Sequence, residues 1–97
     1  MDTDMLFDFI WDKEKYDKNI QKHGIRFEEA STVFYDKDMI YKMDIRHSVN
    51  EERYVIIGIS NNLRLIMVCH CIEEGSTIRI ISARRANKSE RAEYERR

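Results

Sequence analysis

Apolar and polar positions follow two periods along this chain, helical in the first third and strand-like beyond it. Leu6-Phe7-Asp8-Phe9-Ile10-Trp11 alternates imperfectly, which predicts a first strand with one mostly buried face. From Lys13 to Lys22 the spacing turns helical, and Tyr16, Ile20 and His23 share a side by i, i+3/i+4 geometry. Asp12 is positioned to accept from the orphaned amides of the first turn, and Gly24 to end the helix in the left-handed conformation. A second helix is predicted from Phe27 to Phe34, with Phe27, Ala30, Val33 and Phe34 inward and Glu28 and Glu29 at its positive end. Arg26 stands where a capping side chain would help.

From Met39 the period is two. Met39 to Asp44 reads as a strand, residues 46–51 as a polar loop, and Arg53 to Ile59 as a second strand. Asn61-Asn62 supplies a tight turn, because asparagine tolerates positive φ. Arg64 to Ile72 is apolar on both faces, which predicts a central strand. Glu73 to Ser76 turns the chain into a last strand, Thr77 to Ala86. Asn87 with Glu90 three residues later forms a capping-box pattern that would open a terminal helix running through Arg97. The order is a strand, two helices, an antiparallel four-stranded meander and a C-terminal helix, an α+β class. Met39, Met43 and Met67 read as core filling, and Trp11 as a core anchor beside the first helix.

Ninety-seven residues without proline or a low-complexity tract fit a single domain, 1–97, with fraying expected at Met1 to Asp4. No apolar run approaches the roughly 20 residues that span a bilayer, and the acidic start lacks the basic segment of a secretory signal. No membrane association and a cytoplasmic location are expected. Cys69 and Cys71 lie two apart on one strand face, badly spaced for a disulfide, so both are expected as reduced core thiols. With no second Cys/His pair at ligand spacing, neither a metal nor a cofactor is expected.

The net charge of −1 conceals an asymmetry. Residues 1–52 hold 8 Lys/Arg against 13 Asp/Glu, whereas residues 53–97 hold 9 against 5, and eight of those nine are arginine. Either the two halves neutralise one another across the fold, or the arginine-biased half forms a local phosphate-binding face. The last strand sharpens the question, because Arg79, Arg84 and Arg85 are set into its apolar run. Arginine inside a sheet serves a structural ion pair, or it presents its planar fork to an anion such as an RNA backbone. By strict alternation Arg79, Ile81 and Ala83 face one way, and Ile78, Ile80, Ser82 and Arg84 the other. Arg79 and Arg84 can share a face only if the strand bulges or ends before Arg84.

These residues, taken together, resemble the BrnT toxins of bacterial type II toxin–antitoxin systems. The resemblance rests on Phe9-Ile10-Trp11-Asp12, Lys22-His23-Gly24-Ile25, Phe27-Glu28-Glu29-Ala30 with Val33-Phe34, and Glu52-Arg53 leading to Ile57-Gly58. It closes on Ile78 to Ala86, then Glu90-Arg91 and Tyr94, so it covers Leu6 to Tyr94. Arg26 and the turn after Asp36 depart from the family's pattern. The resemblance implies a RelE-like fold with a concave RNA-binding face and a toxic endoribonuclease that inhibits translation and growth. It also implies neutralisation by a BrnA-like ribbon-helix-helix antitoxin, with operator DNA bound only through that antitoxin.

Metal-free RNA cleavage of this kind needs a base for the 2′-OH, a cation for the phosphorane oxygens and an acid for the leaving oxygen. Arg79 is the first choice for the cation, and Arg64, at the mouth of the neighbouring strand, could join it if the hairpin pairs them. His70 is the candidate for proton transfer or, alternatively, a hydrogen-bonded core histidine; His23 carries the same two readings and His47 reads as a solvated loop residue. Without a histidine, a glutamate such as Glu52 or a lysine could serve. Arg84, Arg85, Arg53 and Lys88 are the further RNA-binding candidates. Against these stand plain roles: Glu52-Arg53 as an ion pair at a strand entrance, and Lys88, Arg91, Arg96 and Arg97 as a solvated helical face. The competing functions are a non-catalytic, antitoxin-binding co-repressor and a small structural or adaptor domain.

Overall fold

A computed structural model describes residues 7–96; Leu6, the expected fraying at Met1 to Asp4 and the end of the terminal helix at Arg97 lie outside the described residues. The elements are β1 (Asp8–Trp11), α1 (Lys13–His23), α2 (Phe27–Thr32) with a 3-10 turn at Val33–Tyr35, and β2 (Ile40–Met43). After a second 3-10 turn at Ile45–His47 come β3 (Tyr54–Ile59), β4 (Leu65–Ile72), β5 (Thr77–Arg85) and α3 (Lys88–Arg96). The fold is α+β.

Local chemistry accounts for the helix ends. The Lys15 amide donates to the Asp12 carboxylate at 3.0 Å. Gly24 ends α1 at φ 69°, its N–H bonded to the Ile20 carbonyl at 2.8 Å. Arg26 gives α2 no side-chain cap, and the helix keeps only six residues before it tightens into the 3-10 turn. At α3 both halves of the capping box form: the Glu90 amide donates to Asn87 Oδ1 at 2.8 Å, and the Asn87 amide to Glu90 Oε1 at 2.9 Å.

One sheet holds all five strands, in the order β1-β5-β4-β3-β2. The four later strands pair antiparallel in chain order, while β1 adds to the far side of β5 in parallel, with Trp11 opposite Ile80. Nothing local in a four-residue strand specifies its partner, which is why the sequence pattern leaves β1 unplaced. The turn after β3 also differs from expectation. Positive φ falls on Leu63, at 61°, and not on either asparagine, in a loop closed by Ser60–Arg64 and Leu63–Ser60 backbone bonds.

α1 and α2 cover one face of the sheet and build the main core from Ile25, Phe27, Ala30, Val33, Phe34, Ile56, Ile66, Val68, Ile78, Ile80 and Ala83. Phe7, Phe9, Trp11 and Tyr16 pack against it, and Trp11 stacks on Tyr16 at a 7° interplanar angle. Gly58 permits this packing, since a Cβ there would meet Val33 Cγ1 at 2.9 Å and Asp36 Oδ2 at 3.0 Å. Met39 and Met43 do not fill the core; at 37% and 42% exposure they flank or lie on β2, an edge strand with solvent beside it.

Past Ile80, β5 has no strand on its β1 side. Asn19 takes the strand's place there: its Nδ2 donates to the Ala83 carbonyl at 2.9 Å and its Oδ1 accepts from the Ala83 amide at 3.0 Å. Nδ2 also donates to the Ile25 carbonyl at 2.9 Å, and the side chain is buried. Asn19→Ala is expected to destabilise the protein by about 3 kcal/mol in urea unfolding, because it orphans buried backbone groups. Gln21→Ala, on the exposed side of α1, is expected to cost under about 0.5 kcal/mol; equal losses for the two would refute the role given to Asn19.

Candidate functional site

β5 sets the geometry of the sheet's second face. Its pairing with β4 runs Cys69↔Ser82 and then His70↔Ile80, so Ile81 is an extra residue, a β-bulge. The bulge resets the alternation. Ile78, Ile80 and Ala83 all point to the main core, while Arg79, opposite Cys71, and Arg84, opposite Met67, share the second face. Of the two ways the arginines could share a face, the bulge operates, and the strand runs on through Arg85. Cys69, Cys71 and Ile81 form a small apolar cluster between them.

Arg79 lies at the centre of a chain of charges. Its Nε donates to Glu73 Oε2 at 2.8 Å and its Nη2 to Glu51 Oε1 at 2.6 Å. Arg53 approaches Glu51 from the other side, Nη2 to Oε2 at 3.6 Å, and its buried Nε has no hydrogen-bond partner among the described residues. The strand-entrance ion pair is therefore Arg53 with Glu51; Glu52 instead accepts from the Tyr54 hydroxyl at 3.0 Å. Glu51, Glu52, Tyr54, Cys71, Ile72 and Glu73 line an open depression beside this cluster. Burial pushes the Glu51 carboxyl up, but Arg79, a Cys71 hydrogen bond and Arg53 outweigh it and hold the group below its usual range. Tyr54 is raised by its bond to Glu52 and then by burial, so the phenol keeps its proton. Burial pushes the Cys69 thiol up to about 11 and raises Cys71 as well, which leaves both protonated and unreactive at neutral pH.

The other candidates scatter. Arg64 does not join Arg79: the register puts Arg79 opposite Cys71 and Leu65 opposite Ala86, so Arg64 lies at the far end of the hairpin, roughly 23 Å away along the strand. There its guanidinium grips Glu29 twice, Nε to Oε2 at 2.9 Å and Nη2 to Oε1. His70 is 0% exposed, edge-on to Phe34 and beside Tyr41 and Tyr54, with only a 3.4 Å approach to the Val68 carbonyl. Burial drops its pKa to about 4, so it is a neutral core side chain with no path for a proton to a substrate, and the proton-transfer reading fails on that geometry. Arg84 forks onto Glu90 through Nη1 at 2.8 Å and Nη2 at 2.9 Å, tying α3 to β5. Arg85 and Lys88 are exposed beyond it, and Arg85 turns to the helix-covered face, opposite Ile66. His47 bonds Asp44 at 2.9 Å, and His23 is half-buried at the end of α1.

Glu29 with Arg64, Glu51 with Arg53 and Arg79, and Lys42 with Glu93 all join the acidic half of the chain to the basic half. Three arginines of the basic half thus meet two carboxylates of the acidic half, whereas Lys42 with Glu93 pairs the charges the other way round. Sequence reasoning missed Glu51 and Glu73 as the partners of Arg79, and no local signal marks them, since they reach it from separate loops.

No curated protein matches the chain. The model of a family described as "Ribonuclease toxin, BrnT, of type II toxin-antitoxin system" matches residues 11–90. The crystal structure of the Brucella abortus ribonuclease toxin BrnT is similar, with a TM-score of 0.60 and 28% identity over 84% of this chain and 99% of that one. Among the described residues, no helix is long and apolar enough to cross a membrane.

The Arg64 bonds hold the Glu29 carboxyl at about 2 against the opposing effect of burial, with Ser60 and Asn62 assisting. Its folded pKa lies below the ordinary 4.5, so its stabilisation is complete above pH 4.5 and is lost as pH falls through about 2. Stability by urea titration should fall by up to about 3 kcal/mol across that window from this pair. Glu29→Gln should flatten that limb, and curves of unchanged shape would show the pair to be inert.

Proposed function

The chain belongs to the BrnT family of ribonuclease toxins of type II toxin–antitoxin systems, and from that premise we propose that it is a metal-independent endoribonuclease acting at Arg79 and Glu51. The supporting observation is the convergence of Arg79 and Arg53 on Glu51 beside an open depression, on the sheet face opposite α1 and α2. A guanidinium in contact with a carboxylate supplies both a phosphate-binding cation and a proton acceptor. The RNA 2′-OH attacks the adjacent phosphorus and gives its proton to Glu51. As the O2′–P bond forms, the P–O5′ bond breaks, leaving a cyclic phosphate and a free 5′-hydroxyl. Arg79 turns its fork from the carboxylates to the non-bridging oxygens, where negative charge accumulates in the transition state. The leaving oxygen takes its proton from water, because Tyr54, opposite His70 in the register and packed beside its ring, turns its phenol to the helix-covered face.

In this reading the fold is RelE-like, and the protein works in the cytoplasm, cutting RNA and thereby inhibiting translation and growth. A BrnA-like ribbon-helix-helix antitoxin neutralises it and carries the complex to operator DNA. One observation favours a second reading, the non-catalytic co-repressor: Arg79 is already engaged by both Glu51 and Glu73, which a phosphate must displace.

Arg79→Ala is expected to lower kcat on the order of 10²–10³-fold, with Glu51→Gln falling in the same range and EDTA without effect. Cleavage should be followed on naked RNA and on translating ribosomes. Growth arrest that survives Arg79→Ala would move the site elsewhere, and inhibition by EDTA would replace the mechanism. Intact RNA on both substrates, together with tight antitoxin binding, would favour the co-repressor.

A further inference from the structure

The cluster around Arg79 is built to act on a phosphate but poorly built to attract a polyanion. Arg79, Arg53 and Arg84 each face a carboxylate, and Glu51, Glu52 and Glu73 surround the depression. A net charge of −1 supplies no general attraction either. Affinity for RNA must therefore come from unpaired cations elsewhere on the surface, and one groove concentrates them.

That groove lies between α1 and the part of β5 that has no neighbouring strand. Lys15, Lys18 and Lys22 recur at i, i+3 and i+7 on one side of α1, over roughly 10 Å of helix axis, and His23 follows them. Asn19, Ile81 and Ser82 complete the lining, which includes no carboxylate among the described residues. Lys15 and Lys22 have no ion-pair partner among the described residues. Lys18 meets only Glu14, at 3.6 Å in an exposed pair of the kind that contributes little. Burial first, then Lys22 and Arg84, lower the proton affinity of His23, so it lines the groove as a neutral imidazole that can donate one hydrogen bond. Ile81 and Ser82 stand between Arg79 and Arg84 on β5, so the groove opens onto the proposed cleavage face about 10 Å from Arg79.

We infer that this groove holds a single RNA strand by its phosphates, with Lys15, Lys18, Lys22 and His23 as the contacts that position the strand across β5 toward Arg79. The inference rests on the ribonuclease reading and adds to it the source of affinity. Flexible ammonium groups bind phosphates without reading bases, so the groove contributes binding strength and orientation but no sequence preference.

The test is fluorescence anisotropy of the whole protein with a short single-stranded 2′-O-methyl RNA, which cannot be cut, across a salt series. Lys15→Gln/Lys22→Gln is expected to weaken binding on the order of tenfold and to reduce the slope of log K against log salt by about 1.4. Against cleavable RNA the same variant should raise KM with little change in kcat. Lys13→Gln/Lys37→Gln removes equal charge away from the groove and should leave both readings near wild type. Unchanged affinity and salt slope in the groove variant would overturn the inference and leave the lysines to an acidic protein partner, without touching the case for Arg79. Wild-type protein that binds the uncuttable RNA through these lysines yet never cleaves would sink the catalytic reading alone. Wild-type protein that binds no RNA would sink both.

Discussion

The extra residue in β5 is the constraint on which both faces of the sheet depend. Under strict alternation Ala83 would stand among the exposed arginines, and Arg84 would be driven under α1 into the apolar core, where an unpaired guanidinium is costly. The bulge at Ile81 lets one strand satisfy both faces: Ile78, Ile80 and Ala83 go inward, and Arg79 and Arg84 outward. It occurs where β1 ends, so β5 bends free of a parallel neighbour just as it changes register. Asn19 then repairs the backbone that this arrangement exposes, accepting and donating as a strand would.

Electrostatics follows from the same geometry. Arginines brought to one face within a few residues repel one another unless neutralised, and each has a carboxylate from outside β5. Some of these pairs are architectural. Arg84 with Glu90 fastens α3, and Arg64 with Glu29 fastens the β3–β4 turn to α2. The Arg79 pairs differ, because their carboxylates stand exposed on loop ends at the edge of an open depression. Exchange of such contacts costs far less than breaking a buried pair.

What the sequence made legible was chemistry that acts over three or four residues. Asp12, Gly24 and the Asn87–Glu90 box mark helix ends through bonds to their own backbone, and each is where the spacing puts it. Relations between distant segments were not legible. The parallel partner of β1, the seven-residue separation of Arg64 from the level of Arg79, and the loop carboxylates that hold Arg79 depend on register and loop paths. His70 shows the limit well: alternation put it on a strand face with apolar neighbours, but only the packing of Phe34 and Tyr41 decides that this face is closed. Asn19 was overlooked because a polar residue beside a helical stripe gives no sign that a strand will end opposite it.

The Glu90 carboxylate accepts from the Asn87 amide and from both terminal nitrogens of Arg84. One side chain thus starts the last helix and moors it. α3 buries no residue fully and spans only nine, too few for a helix to persist unaided in water. Lys42 to Glu93 and Tyr94 to Asp36 tie it further along its length. Winding and mooring therefore share one carboxylate: the group that fixes where the last helix begins also fixes where it lies, so its first turn cannot slide along β5 without loosening its own start.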